Sequence, residues 1–221
     1  MIFQPLYNKL IKLIIMIKVQ ATIVGKVKRG ALLRTDKDGK NYLSYVVHVN
    51  VPAGDKKNKV MEIIMSDHDT SSSYKEGGRI LANGTLDIRK KGEDYSFYLS
   101  AEKVTDKEVP AVDAVKGELH FRGRLKNEDV CETKEDKGGK PYLLFPAYSS
   151  EKSGDTFVST WVRFLYFSPK DAAIDVLQPE WMKPKGRFTA TGSFEVSVYN
   201  DEFRFSSVVK EMEEYVYEGN G

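Results

Sequence analysis

The chain is 221 residues long and poor in the residues that most catalytic and metal chemistry needs: one cysteine, two tryptophans and three histidines. Cys131 alone excludes an internal disulfide and a thiolate metal cluster. His48, His68 and His120 follow no metal-ligand or catalytic spacing. Neither sign of charge dominates, since 34 Lys plus Arg face 32 Asp plus Glu and leave +2. That excludes a polycationic coat but leaves room for a local basic groove. Long hydrophobic runs are missing too. Leu10 to Met16 is broken by Lys12 and is too short to span a bilayer. Lysines inside that run, with no Ala-x-Ala after it, do not fit a signal peptide. The reading is a cytoplasmic protein with no membrane partner.

Enzyme motifs are also lacking. There is no Gly-x-x-x-x-Gly-Lys-Ser/Thr loop, Gly-x-Ser-x-Gly elbow, His-Glu-x-x-His pair or deaminase signature. Asp67-His68-Asp69 stands beside Thr70 and Ser71–Ser73, a composition that favours turns over a metal site. Cys131 has no paired base and reads as a structural or incidental thiol. A non-enzyme with no cofactor, no metal and no small-molecule substrate is expected. What is present is a normal folded balance, 41% hydrophobic and 30% charged, with 12 Tyr and 11 Phe.

The chain repeats itself. Residues 35–45, TDKDGKNYLSY, match 135–145, EDKGGKPYLLF, with Asp36/Asp136, Gly39/Gly139, Lys40/Lys140 and Tyr42/Tyr142 among the identities. GRILANGTL at 78–86 matches GRFTATGSF at 186–194. Gly25-Lys26 matches Gly123-Arg124. The blocks occur in the same order, so the chain divides into two copies. The expected parts are an N-terminal extension at 1–15, a domain at 16–108, a linker at 109–112, a domain at 113–212 and an acidic tail at 213–221. Pro110 lies in the polar connection.

Each copy is rich in β-branched and alternating segments. The first gives strands at 19–28, 42–51, 60–65, 79–88 and 95–104. The second gives 118–125, 142–148, 158–167, 187–198 and 202–209. A short polar segment separates strands three and four. In the second copy it reads as a helix from Pro169 to Leu177, capped by Ser168. Five strands with a helix or loop after the third is the layout of the OB-fold barrel. The expected class is all-β, two tandem five-stranded OB-fold barrels.

Gly25-Lys26, Asp36–Tyr45, Val60–Met65 and Gly78–Gly84 in one copy, and Gly123-Arg124, Asp136–Phe145, Trp161–Phe167 and Gly186–Gly192 in the other, resemble single-stranded DNA-binding proteins of the bacterial type. The pattern covers nearly all of residues 18–210. The resemblance implies non-catalytic, sequence-tolerant binding of single-stranded DNA in replication, recombination or repair. It also implies a dimer as one route to the four OB domains typical of that family. Those proteins end in an acidic tip that recruits partners. Here Glu211, Glu213, Glu214 and Glu218 precede Gly-Asn-Gly, a departure from that pattern.

Sequence-tolerant binding needs aromatic faces for bases and a basic groove for phosphates. Alternation along the second strand puts Tyr42, Ser44, Val46 and His48 outside, and Tyr142, Leu144, Pro146 and Tyr148 in the other copy. On the third strand Trp161 and Arg163 share the outer face. The resemblance makes Trp161 the leading stacking residue. By alignment, Val60 and Glu62 hold the matching places in the first copy. Lys26, Lys28 and Arg29 lie in a basic front, and Arg122 and Arg124 alternate along one strand face. Tyr95, Tyr98, Tyr199 and Phe203 are candidates for the fourth-to-fifth region or for the core. The competing readings are an adaptor subunit of tandem OB-folds with interface aromatics, and an RNA or carbohydrate binder.

Overall fold

A computed structural model describes residues 17–54, 57–153, 155–167 and 178–216. The expected helix at 169–177, the extension at 1–15 and the end of the tail lie outside the described residues. Eleven strands are described: β1 Ile17–Thr35, β2 Asn41–Ala53, β3 Lys57–Asp67, β4 Arg79–Lys91, β5 Asp94–Thr105, β6 Ala114–Leu125, β7 Glu132–Glu135, β8 Pro141–Ser153, β9 Thr156–Phe167, β10 Arg187–Tyr199 and β11 Glu202–Glu214. In the first copy, strands three and four are joined by a loop. No membrane-length apolar helix occurs among the described residues.

The pairings close two barrels. In barrel one β2 pairs with β1 and β3, β3 runs parallel to β5, and β4 pairs with β5 and β1. Barrel two repeats this with β6, β8, β9, β11 and β10. Each is an OB-fold, a five-stranded Greek-key barrel. Alternate residues fill the interiors. Val47, Val49, Met61, Ile63 and Leu99 are buried in barrel one, and Phe145, Phe164 and Phe188 in barrel two. Tyr45 and Phe145, matched in the repeat, are both fully buried.

The repeated motifs prove to be closure devices. A Cβ on Gly25 would lie 2.5 Å from the His48 carbonyl oxygen, and one on Gly123 would lie 2.3 Å from that of Tyr148. Only glycine lets the first strand cross the second this closely. Gly84 and Gly192 sit at matched β-bulges in β4–β5 and β10–β11, with bare Cα atoms against backbone. The Asp-x-x-Gly-Lys blocks are turns. Asp36 and Asp136 each accept the backbone N–H of Lys40 or Lys140, and Gly39 and Gly139 supply φ near +79° and +77°.

The barrels join edge to edge. β1 and β6 pair antiparallel, with Gln20 opposite its own counterpart Glu118. Ile17 faces Phe121 while Ile23 faces Val115. These pairs exchange under a two-fold rotation, so the joint is a pseudo-dyad, the internal analogue of an isologous interface. A second contact adds rings from both copies. Tyr95 meets Phe205 at 5.1 Å and Phe97 meets Phe203 at 5.5 Å, both edge-on. The Lys59 ammonium lies 5.3 Å over Phe203 and pairs with Asp201 at 3.2 Å. Asp113 completes the joint. It bonds Arg79 at 2.8 Å and accepts the Asn50 backbone N–H at 2.9 Å.

Candidate nucleic-acid interface

The outer face of β8 and β9 carries two ring pairs of barrel two. Tyr148 stands opposite Trp161, with ring centroids 4.8 Å apart. Trp161 is 45% exposed, although large apolar rings are usually buried. Arg124 on β6 stands on the other side of Tyr148, and Arg187 on β10 lies beside Arg124. One row across four strands therefore reads Arg187, Arg124, Tyr148, Trp161. The next positions on the same face are Pro146 and Arg163, an opposed pair with Arg163 exposed. Arg122 reaches Tyr215, whose ring lies 5.0 Å from the guanidinium.

The far end of this face holds a second ring pair, Tyr142 and Phe167, at 5.0 Å. Lys140 places its ammonium 5.7 Å from the Phe167 ring, and Lys134 on β7 stands opposite Tyr142. Phe167 and Lys140 were not among the sequence candidates. Phe167 ends its strand beside a polar segment, where alternation loses its force. β7 itself, ETKE, has no apolar residue to signal a strand.

The same face of barrel one is different. His48 opposes Glu62, with Nε2 3.1 Å from the carboxylate, and Lys26 stands on its other side. Its row reads Arg79, Lys26, His48, Glu62. This register corrects the alignment: Trp161 and Arg163 match Glu62 and Ile64, not Val60 and Glu62. The hairpin loop has three residues between Ala53 and Lys57 but two between Ser153 and Thr156, so the third strands are offset by one position less than the second strands. Lys28 and Arg29 are exposed where β1 slips register and bends. Tyr42 is half-buried opposite Arg34.

Of the remaining aromatic candidates, Tyr95, Tyr98 and Phe203 settle into packing, and Tyr199 stays exposed. Tyr95 and Phe203 belong to the joint between barrels. Tyr98 lies under Arg89 at 5.0 Å, and Tyr199 projects from a hairpin turn whose Asn200 and Asp201 both have positive φ. Cys131 is partly buried, and burial pushes its thiol pKa up. Asp67 and Asp69 are engaged within their own loop, Asp67 by the Asp69 amide and the Ser72 hydroxyl, and Asp69 by Ser71. No cluster of three metal-ligating side chains occurs among the described residues.

No model of a known protein family matches the chain, and no curated protein matches it. Among solved structures the chain is similar to two of the single-stranded DNA binding protein from Thermus aquaticus. The wild-type structure shares 10% identity, covering 94% of this chain and 97% of that chain, with a TM-score of 0.43. A deletion mutant shares 12% identity, covering 91% of this chain and 96% of that chain, with a TM-score of 0.42.

Proposed function

We propose that the protein binds single-stranded DNA without chemistry and without sequence preference, and protects it during replication, recombination or repair. The observation that carries this reading is the row Arg124, Tyr148, Trp161. It offers an exposed indole and a phenol to bases and a guanidinium to phosphate on one continuous sheet face. Stacking contributes about 1–3 kcal/mol per base and tolerates any base, because every base has a π-face. Arg124 and Arg163 add the salt-sensitive part. Barrel two is the principal site, and Lys26, Lys28 and Arg29 extend the phosphate track onto barrel one. A dimer is part of the proposal. The test is titration with fluorescent oligo(dT) across salt, with oligo(U) as competitor and size analysis with and without oligo(dT). Binding that weakens steeply with salt supports the reading. No binding at low salt, with assembly unaffected by oligo(dT), would favour an adaptor of tandem OB-folds instead.

A further inference from the structure

The far ends of the two sheet faces match more closely than their centres. In barrel two, Lys134, Tyr142 and Phe167 stand side by side on β7, β8 and β9. In barrel one, Arg34 stands opposite Tyr42, and the Tyr42 ring lies 5.8 Å from that of His68, tilted 48°. Their places are equivalent. Tyr142 pairs with Phe167 one step beyond Leu143 and Tyr166. His68 lies one step beyond Leu43 and Asp67. Lys40 matches Lys140 in the turn that precedes each tyrosine. A cation, a tyrosine and a second flat ring therefore recur at one position, while the inner rows have diverged to His48–Glu62 and Tyr148–Trp161.

We propose that Tyr42 and His68, with Arg34, form a second stacking site for single-stranded nucleic acid, so that both barrels hold one strand. This inference rests on the reading of barrel two as a single-strand site. Arg34 and His68 are exposed and Tyr42 is half-buried, so rings and charge are presented to the same side. An imidazole offers a π-face to a base whether or not it is protonated. The nearby carboxylates are held by local amides and hydroxyls: Asp36 by the Asp38 and Lys40 amides, Asp67 and Asp69 by their loop. The inner row of barrel one has no large ring, so this site takes few nucleotides. It contributes only when the strand is long enough to reach it from barrel two.

Length dependence is the test. The full chain is titrated with oligo(dT) of about 10 nucleotides, within the reach of one OB-fold, and of about 35, enough for two. The Tyr42→Ala/His68→Ala variant is expected to bind the short strand like the wild type and the long strand about tenfold or more weakly. His68→Phe installs the residue of barrel two and is expected to hold the long strand at least as tightly as the wild type. Arg34→Glu, an exposed change, is expected to weaken only the long strand and serves if the double variant does not fold. Unchanged long-strand affinity in these variants would overturn the proposal. Equal loss at both lengths would also overturn it, marking Tyr42 and His68 as braces of the loop. A wild type that binds neither length instead overturns the barrel-two reading beneath it.

Discussion

In barrel one the row crossing β4, β1, β2 and β3 reads Arg79, Lys26, His48, Glu62. In barrel two the same row reads Arg187, Arg124, Tyr148, Trp161. The frames beneath are alike, with the same strand order, the same crossing glycines and the same bulges. What changed is the chemistry on the sheet face. Where barrel two has a ring pair, barrel one has a histidine hydrogen-bonded to the exposed carboxylate of Glu62. Arg79 is also diverted, since its guanidinium holds Asp113 at the joint. In the proposed reading, barrel two grips a strand through the centre of this face and barrel one lends charge. A scaffold tolerates this because the closing residues and the outward-facing residues are different positions.

The frame is the part most costly to alter. Alanine at Gly84 or Gly192 would set a Cβ 2.1 or 2.2 Å from a backbone oxygen. Each change is expected to cost about 3 kcal/mol, measured by denaturant unfolding. Near-equal losses would confirm the shared frame, whereas a tolerated change in one barrel would break it.

The face comes next. Trp161→Ala should weaken oligo(dT) binding by about ten- to hundredfold with little change in stability, because the ring is exposed. The reciprocal transplant, His48→Tyr with Glu62→Trp, should raise affinity by about tenfold for a long strand. A transplant without effect would show that barrel one is unavailable to a strand for a reason other than this row.

The smaller effects concern charge. Arg124→Ala should reduce the slope of log affinity against log salt by about one, and Lys26→Ala should reduce it by less, because Glu62 already offsets charge nearby. Asp113 sets the acid limit of the joint. Burial works to raise its pKa, but the hydrogen bonds from Asn50 and Arg79 and the arginine charge outweigh it, and the net direction is down. A lowered carboxylate stabilises the fold above its ordinary range, and that contribution is lost as pH falls through the folded value. Asp113→Asn should therefore lower stability at neutral pH and flatten its decline in acid, as followed by thermal unfolding.

The repeats were readable because they are backbone necessities. A positive φ at Gly39 and Gly139, and near-contact at Gly25 and Gly123, leave few alternatives to glycine. All ten expected strands are present, though β1 reaches Thr35 through exposed residues that carry no apolar pattern. β7 gave no signal because all four of its residues are polar. The mispairing of Trp161 with Val60 is a slip of two residues, which keeps the same face outward and so leaves no mark on the alternation. The cluster of Tyr95, Phe97, Phe203 and Phe205 was hidden for another reason. Contact between copies depends on how two barrels dock, which no periodicity within either copy records.

The most direct test of the central claim uses the contrast between the two tryptophans. Trp161 is exposed, while Trp181 is partly buried and stacks on Phe188 at 5.9 Å. In a Trp181→Phe background, oligo(dT) at low salt should quench the Trp161 emission to saturation, and added salt should restore it. If strand binding is seen by anisotropy while the Trp161 emission stays unchanged, the sheet face of barrel two is not where the bases stack.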